Sequence, residues 1–335
     1  MTASRRGDDV AALVARARAA DARAVARLIS LVESGGPSGS SGGAAGGDSP
    51  ALRQVAVALA PYGGHAQVVG LTGSPGVGKS TTTSALVTSL RAAGKRVGVL
   101  AVDPSSPFSG GALLGDRVRM QDHATDEGVF IRSMASRGQL GGLSAAVPQA
   151  LRVLDAAGCD VVLIETVGVG QAEVEIASLA DTTMVLLAPG MGDGIQAAKA
   201  GILEIADVFV VNKADRDGAD QVARDLRYMQ SLGGRHSDAG AWRPPIVKTV
   251  ASRSEGIDEV VAAIAKHLDW MQRHGELERR RRARAASEIE AIALGQVRQR
   301  FAGVHGSTAL DAAAARVVSG ETDPYTAADE LVASL

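Results

Sequence analysis

At 335 residues, with 46% hydrophobic but only 3% aromatic residues, the chain suits one domain of about 200 to 250 residues plus smaller additions, and its core must come mainly from Ala, Val, Leu and Ile. The formal net charge of −2 argues against nucleic acid as a main partner, and a single cysteine, Cys159, excludes an intramolecular disulfide and fits a reducing compartment. Met1 to Val10 is polar and charged and no 18-residue apolar run occurs, which argues against a membrane and for a cytoplasmic protein.

Val10, Leu13, Val14, Val25, Leu28, Ile29 and Val32 recur at helical spacing, predicting an amphipathic helix or a helical pair over 10–33. Residues 35–50 are almost all Gly, Ser, Ala and Pro, too poor in apolar surface to order themselves, and predict a flexible loop. A helical pattern resumes over 51–60. From 68 to about 268, short apolar runs alternate with longer amphipathic ones, the pattern of βαβ units around a largely parallel sheet. Strands are predicted at 68–71, 97–102, 129–131, 161–165, 184–187, 208–211 and 246–249, most of them apolar on both faces as buried parallel strands should be. Helices are predicted at 143–157, 195–204, 220–232 and 257–274. Beyond His274 the strand pattern stops. A charge-dense helical stretch over 276–284 continues through Ile289, Ile292, Val297 and Phe301, and helical segments follow near 309–318 and 325–335. The run Arg279 to Arg282 reads as either an anionic docking patch or a solvated helix face, and its glutamate neighbours favour the second. This gives an N-terminal helical extension over 1–62, an α/β domain over 63–274 and a C-terminal helical segment over 275–335.

The chemistry gathers at strand ends. Gly73, Ser74, Pro75, Gly76, Val77, Gly78, Lys79 and Ser80 fit G-x-x-x-x-G-K-[ST], the phosphate-binding P-loop, between the strand at 68–71 and a helix predicted over 79–93 that carries Ser80 and Thr81 in its first turn. Its glycines let backbone N–H groups face phosphate oxygens with the positive end of a helix behind them. Lys79 would reach the β- and γ-phosphates, and the Ser80 hydroxyl would ligate Mg²⁺. Only six lysines occur against 29 arginines, and two of the six, Lys79 and Lys213, lie in nucleotide motifs.

Asn212-Lys213-Ala214-Asp215, after the strand at 208–211, forms an N-K-x-D tetrapeptide. The Asp215 carboxylate would accept from guanine N1–H and its exocyclic amine, while Asn212 and Lys213 brace the loop; adenine lacks that donor pair. A backbone N–H near Ala251 would meet guanine O6. Glu165, after the strand at 161–165, opens Glu165-Thr166-Val167-Gly168-Val169-Gly170-Gln171. Glu165 would hold Mg²⁺ through water, one methylene longer than the usual aspartate, and Gly168 would offer its N–H to the γ-phosphate in a loop freed on hydrolysis. Asp103, which opens Asp103-Pro104-Ser105-Ser106-Pro107-Phe108, and Asp116 are candidates for the metal's outer shell or for positioning water, although Asp103-Pro104 is also a turn opener. The segment 190–194, with Lys199 in the next helix, is either a third mobile switch or a plain connection.

With these residues together, Gly73 to Ser80, the segment from Asp103 to Gly111, Glu165 to Gln171 and Asn212 to Asp215, the chain resembles the MeaB/ArgK/MMAA family of SIMIBI-class P-loop GTPases over about residues 20 to 335. The resemblance implies a P-loop NTPase fold with helical extensions at both ends, and a slow GTPase that turns GTP into GDP with Mg²⁺. It also implies a chaperone that gates adenosylcobalamin loading into a cobalamin-dependent acyl-CoA mutase, chiefly methylmalonyl-CoA mutase, and protects it. By position, Lys79 and Ser80 would bind phosphate and metal; Asp103, Asp116 and Glu165 would surround the metal; Asn212, Lys213 and Asp215 would read guanine; Lys199 would act in a third switch when the mutase docks. The family forms homodimers through its C-terminal helices, and an adenosyltransferase stays open as a further partner. The Gly/Ser linker at 35–50 is looser than the family pattern and leaves the packing of the N-terminal helices an open point. The rival readings are a nickel or cobalt metallochaperone GTPase, disfavoured by one cysteine and six scattered histidines, a non-hydrolysing nucleotide-dependent scaffold, and a small-molecule kinase.

Overall fold

A computed structural model of the chain describes residues 9–34, 50–103, 120–123, 125–135, 146–166, 172–190, 204–232, 240–302 and 308–333. Seven strands form one sheet: β1 (Gln67–Thr72), β2 (Val97–Asp103), β3 (Val129–Ala135), β4 (Val161–Thr166), β5 (Thr182–Leu187), β6 (Val208–Val211) and β7 (Ile246–Lys248). Their order is β3-β2-β4-β1-β5-β6-β7, and every described pairing between them is parallel. All seven expected strands are present, with ends shifted by up to four residues. β1, β4, β5 and β6 are buried along their whole length, which explains why they read as continuous apolar runs.

Alternate residues of these strands feed opposite layers. Val69 and Leu71 of β1 and Leu163 of β4 face α4 (Lys79–Ala92) and α8 (Ile257–Arg273), where Leu86, Val87, Val260 and Ile264 close the core. On the other face Val162 and Ile164 meet α5 (Val147–Ala156) and α6 (Ala172–Leu179). At Gly70 a Cβ would lie 2.7 Å from Ile176, so glycine lets α6 sit directly on β1. Toward the β7 edge, Phe209 and Val211 of β6 pack with Val222 and Leu226 of α7 (Ala219–Leu232).

The N-terminal stretch is a helical pair, α1 (Val10–Arg18) and α2 (Ala22–Ser34), followed by α3 (Pro50–Leu59). Asp9 caps α1 by accepting from the N–H groups of Ala11 and Ala12, and Asp21 caps α2 through those of Arg23 and Ala24. Leu28, Ile29 and Val32 of α2 are fully buried in the same core as β4 and α5, and Arg132 of β3 ion-pairs with Glu33. The helices therefore pack firmly on the α/β unit; residues 35–49 of the expected linker lie outside the described residues.

The C-terminal region holds α9 (Glu276–Ala302), α10 (Thr308–Val318) and α11 (Pro324–Ala333). Here the expectation of a solvated arginine run needs correction. Arg279 and Arg282 pair with Glu276 and Glu278 of their own helix, but Arg280 and Arg281 turn inward. Arg280 makes two 2.8 Å bonds to the Asp207 carboxylate, and Arg281 and Arg284 both reach Asp181. The physical reason is spacing: positions 280, 281 and 284 share one helix face, and that face lies against the amino ends of β5 and β6. Arg152 of α5 fastens the same helix through Glu288.

Behind this clamp His267 of α8 is fully buried, its Nδ1 2.9 Å from the Thr182 hydroxyl and its Nε2 3.4 Å from Asp207. Burial pushes it down to about 4, with the Asp207 carboxylate working in the opposite direction. Cys159, also buried, has its thiol pushed up to about 11. Among the described residues no helix is long and apolar enough to cross a membrane.

Candidate functional site

The site residues gather at the carboxyl ends of the strands, where open parallel sheets bind their ligands. The chain leaves β1 at Thr72 and turns through the glycine loop into α4. Gly73 has φ +143°, and a Cβ there would lie 2.3 Å from the Leu186 carbonyl of β5. Gly78 stands at the N-cap of α4 with φ +98° and no side-chain cap, and a Cβ there would lie 2.4 Å from Asn212 Nδ2. Both positions accept glycine only, and the loop they shape opens directly on a helix amino terminus. Lys79 is buried, its amine donating to the carbonyls of Gly73 (2.6 Å) and Ser74 (3.1 Å), so the ammonium lies against the loop itself.

Glu165 of β4 stands in register with Leu71 of β1, which sets its carboxylate beside the start of α4. Ser80 Oγ donates to Glu165 Oε1 at 2.6 Å, and Thr83 Oγ1 donates to Oε2 at 3.0 Å. Ser80 and Thr83 lie three residues apart on α4, hence on one face, a spacing that could have drawn attention to Thr83 in the sequence. A hydroxyl and a carboxylate in contact and shielded from bulk water are hard oxygen donors of the kind Mg²⁺ takes, so the residues present fit that ion.

The third part follows β6. Asn212 continues the sheet with its N–H on the Leu187 carbonyl, and its side chain ties three loops together. Its Nδ2 donates to the Val77 carbonyl of the glycine loop (2.8 Å), while its Oδ1 accepts from Thr249 Oγ1 and the Ala251 N–H, both at 3.1 Å. Ala251 thus braces Asn212 in this structure, and Thr249 joins it. Lys213 occupies the left-handed region (φ +57°), uncommon for a side chain of its size, and its amine donates to the Gly76 carbonyl. Asp215 is half-exposed at the rim, its Oδ2 3.3 Å from Arg253 Nη1. Ser74, Pro75, Gly76 and Val77 complete the loop, and Thr81 follows on the first turn of α4.

Asp103 ends β2, two strands from β1, where Val102 pairs with Thr166 of β4; of Asp103 the backbone alone is described. Asp116, Gly168 and Lys199 lie outside the described residues, as do 104–119, 167–171 and the expected helix at 195–204 apart from Glu204.

The sequence profile of the family described as methylmalonyl Co-A mutase-associated GTPase MeaB matches residues 25–305. A Pyrococcus abyssi protein is 45% identical over 320 residues, covering 96% of this chain and 95% of that one. GTPase ArgK of Escherichia coli is 41% identical over 227 residues, 67% of this chain and 68% of its own. Among solved structures, one titled LAO/AO transport system kinase superposes with a TM-score of 0.70 at 28% identity, covering 98% of both chains. The profile match, the relatives and the P-loop geometry agree: this chain belongs to the family of MeaB-type, methylmalonyl Co-A mutase-associated P-loop GTPases.

Proposed function

We propose that this GTPase is a nucleotide-switched chaperone of a cobalamin-dependent acyl-CoA mutase, with methylmalonyl-CoA mutase as the client, gating cofactor loading and protecting the enzyme. The family description supports the choice of client, and the observation that carries the nucleotide part of the reading is the Asn212 side chain. It bonds at once to the glycine loop and to the 249–251 segment, so the phosphate cradle and the candidate base-reading loop form one continuous site.

In this reading Lys79 moves its ammonium from the Gly73 and Ser74 carbonyls to the β- and γ-phosphates, a short displacement within the loop. The Ser80 hydroxyl would ligate Mg²⁺ while its proton stays donated to Glu165, and Asp103, Asp116 and Glu165 would serve the metal's outer shell. Bound Mg²⁺ would supply charge neutralisation across the phosphates. Asp215 reads the guanine edge, and the Gly168 N–H meets the γ-phosphate and lets go after hydrolysis. Basal turnover is slow, since no glutamine directly follows Gly168 in the sequence, and the docked mutase completes the site with Lys199 contributing. A second copy covers the exposed Ile289, Ile292, Leu294 and Val297 of α9, giving a homodimer.

The test is GTP hydrolysis by the purified chain, alone and with methylmalonyl-CoA mutase from the same source, with ATP as the control nucleotide and Lys79→Ala as the inactive variant. The expected result is slow GTP turnover that rises with the mutase, none with ATP, and a drop of about 10²-fold or more in the variant. A rate indifferent to the mutase would overturn the client assignment and leave the GTPase standing.

A further inference from the structure

We infer that Arg253 is the positioning residue for the base-reading carboxylate of Asp215, and through it a determinant of guanine selectivity. The inference rests on the nucleotide reading above and adds a residue to it.

Residues 250 to 255 form a tight, backbone-closed turn. Val250 and Glu255 exchange N–H···O bonds in both directions, at 3.0 and 3.3 Å. Ser254 sits in the left-handed region (φ +58°), and Gly256 follows at φ +75°, where a Cβ would lie 2.3 Å from the Lys248 carbonyl. Arg253 stands on this turn and is itself oriented by it. Its Nε meets Glu255 Oε1 at 2.7 Å and its Nη2 meets Oε2 at 3.2 Å, which leaves Nη1 directed at Asp215 Oδ2. Paired in this way, Glu255 holds the guanidinium above its ordinary range while Arg253 holds Glu255 below. The two loops are also joined through their backbones, the Ala214 N–H donating to the Thr249 carbonyl at 2.9 Å.

The chemistry of guanine recognition gives this pair its meaning. A carboxylate that accepts from guanine N1–H and the exocyclic amine together must present both oxygens in one fixed plane. Asp215 lies on an exposed loop, where nothing in its own backbone fixes that plane. A planar guanidinium held on one of its oxygens restrains the rotation, and the fork of arginine does this where a lysine point charge would not. An ion pair this exposed contributes little to folding, so its effect falls on orientation.

The experiment is calorimetric titration of the full chain, in the presence of Mg²⁺, with GDP and with inosine diphosphate, which lacks the exocyclic amine. Wild type, Arg253→Ala and Arg253→Lys are compared. Arg253→Ala is expected to weaken GDP about fivefold and inosine diphosphate by less than about twofold, so the ratio between them narrows, with Arg253→Lys recovering part of it. Equal losses for the two nucleotides, or no loss, would overturn the inference, because a residue that merely holds the loop cannot distinguish them. A wild-type chain that binds neither nucleotide would overturn the underlying nucleotide reading instead.

Discussion

The two ends of the central sheet carry the same kind of residue in opposite employment. Glu165 closes the carboxyl end of β4, and Asp181 and Asp207 stand at the amino ends of β5 and β6; all three are 4% exposed or less. At the carboxyl end the carboxylate is met by two hydroxyls, of Ser80 and Thr83. At the amino end the carboxylates are met by three guanidinium groups of α9, those of Arg280, Arg281 and Arg284. Hydroxyl partners suit a place where a cation is to be admitted, since a hydroxyl that donates to the carboxylate keeps lone pairs to offer a metal. Guanidinium partners would repel a cation, and they settle the charge permanently into the architecture. Burial of an acidic group is therefore no sign of chemistry on its own, and the partner decides.

This contrast is open to test from both sides. The largest change is expected at the carboxyl end, where Asp215→Asn should alter which base is read and leave the fold untouched. Competition binding should show the guanine-over-xanthine preference shifting by up to roughly 10⁴-fold, with an unchanged melting temperature. Unchanged GTP affinity would remove Asp215 from base reading. At the amino end Asp181→Ala should do the reverse. It strips Arg281, Arg284 and the Val68 N–H of their shared acceptor, so denaturant unfolding should show a loss of about 3 kcal/mol while GDP affinity stays within about twofold.

An effect confined to acid, and absent at neutral pH, is expected from His267. Its folded value of about 4 lies below the ordinary 6.5, so between these limits the unfolded chain binds a proton that the folded chain refuses. Its contribution leaves stability full above pH 6.5 and lowers it progressively toward pH 4. In His267→Gln that part of the acid limb should flatten, read as the difference between the two pH profiles. If the profiles run parallel, the histidine is not titrating against the fold.

The sequence showed the carboxyl end far better than the amino end, for a physical reason. Phosphate and base recognition demand particular residues at short, fixed spacings, as in Gly73 to Ser80 and Asn212 to Asp215, and the apolar runs that bury β1, β4, β5 and β6 place those spacings at strand ends. Thr83 and Arg253 escaped notice because their roles depend on groups that fold brings near, Glu165 from 82 residues away and Asp215 from 38. The clamp was hidden more deeply. Local pattern shows Arg279 to Arg282 as one charged run among glutamates, whereas the helix splits it into two outward and two inward residues according to acids 73 and 100 residues distant. The packing of α2 was equally illegible, since a glycine-rich connection says nothing about how well Leu28, Ile29 and Val32 are received at the far side.

Asn212 has a bearing on how the molecule could be approached with small ligands. One amide joins both halves of the proposed nucleotide pocket: through Val77 the glycine loop, and through Thr249 and Ala251 the candidate base-reading loop. A fragment that resembles only the base, or only the phosphates, would meet a pocket whose other half is already held in shape. Linking two such fragments should therefore gain affinity beyond the sum of the parts, because the protein has little left to order when the second arrives.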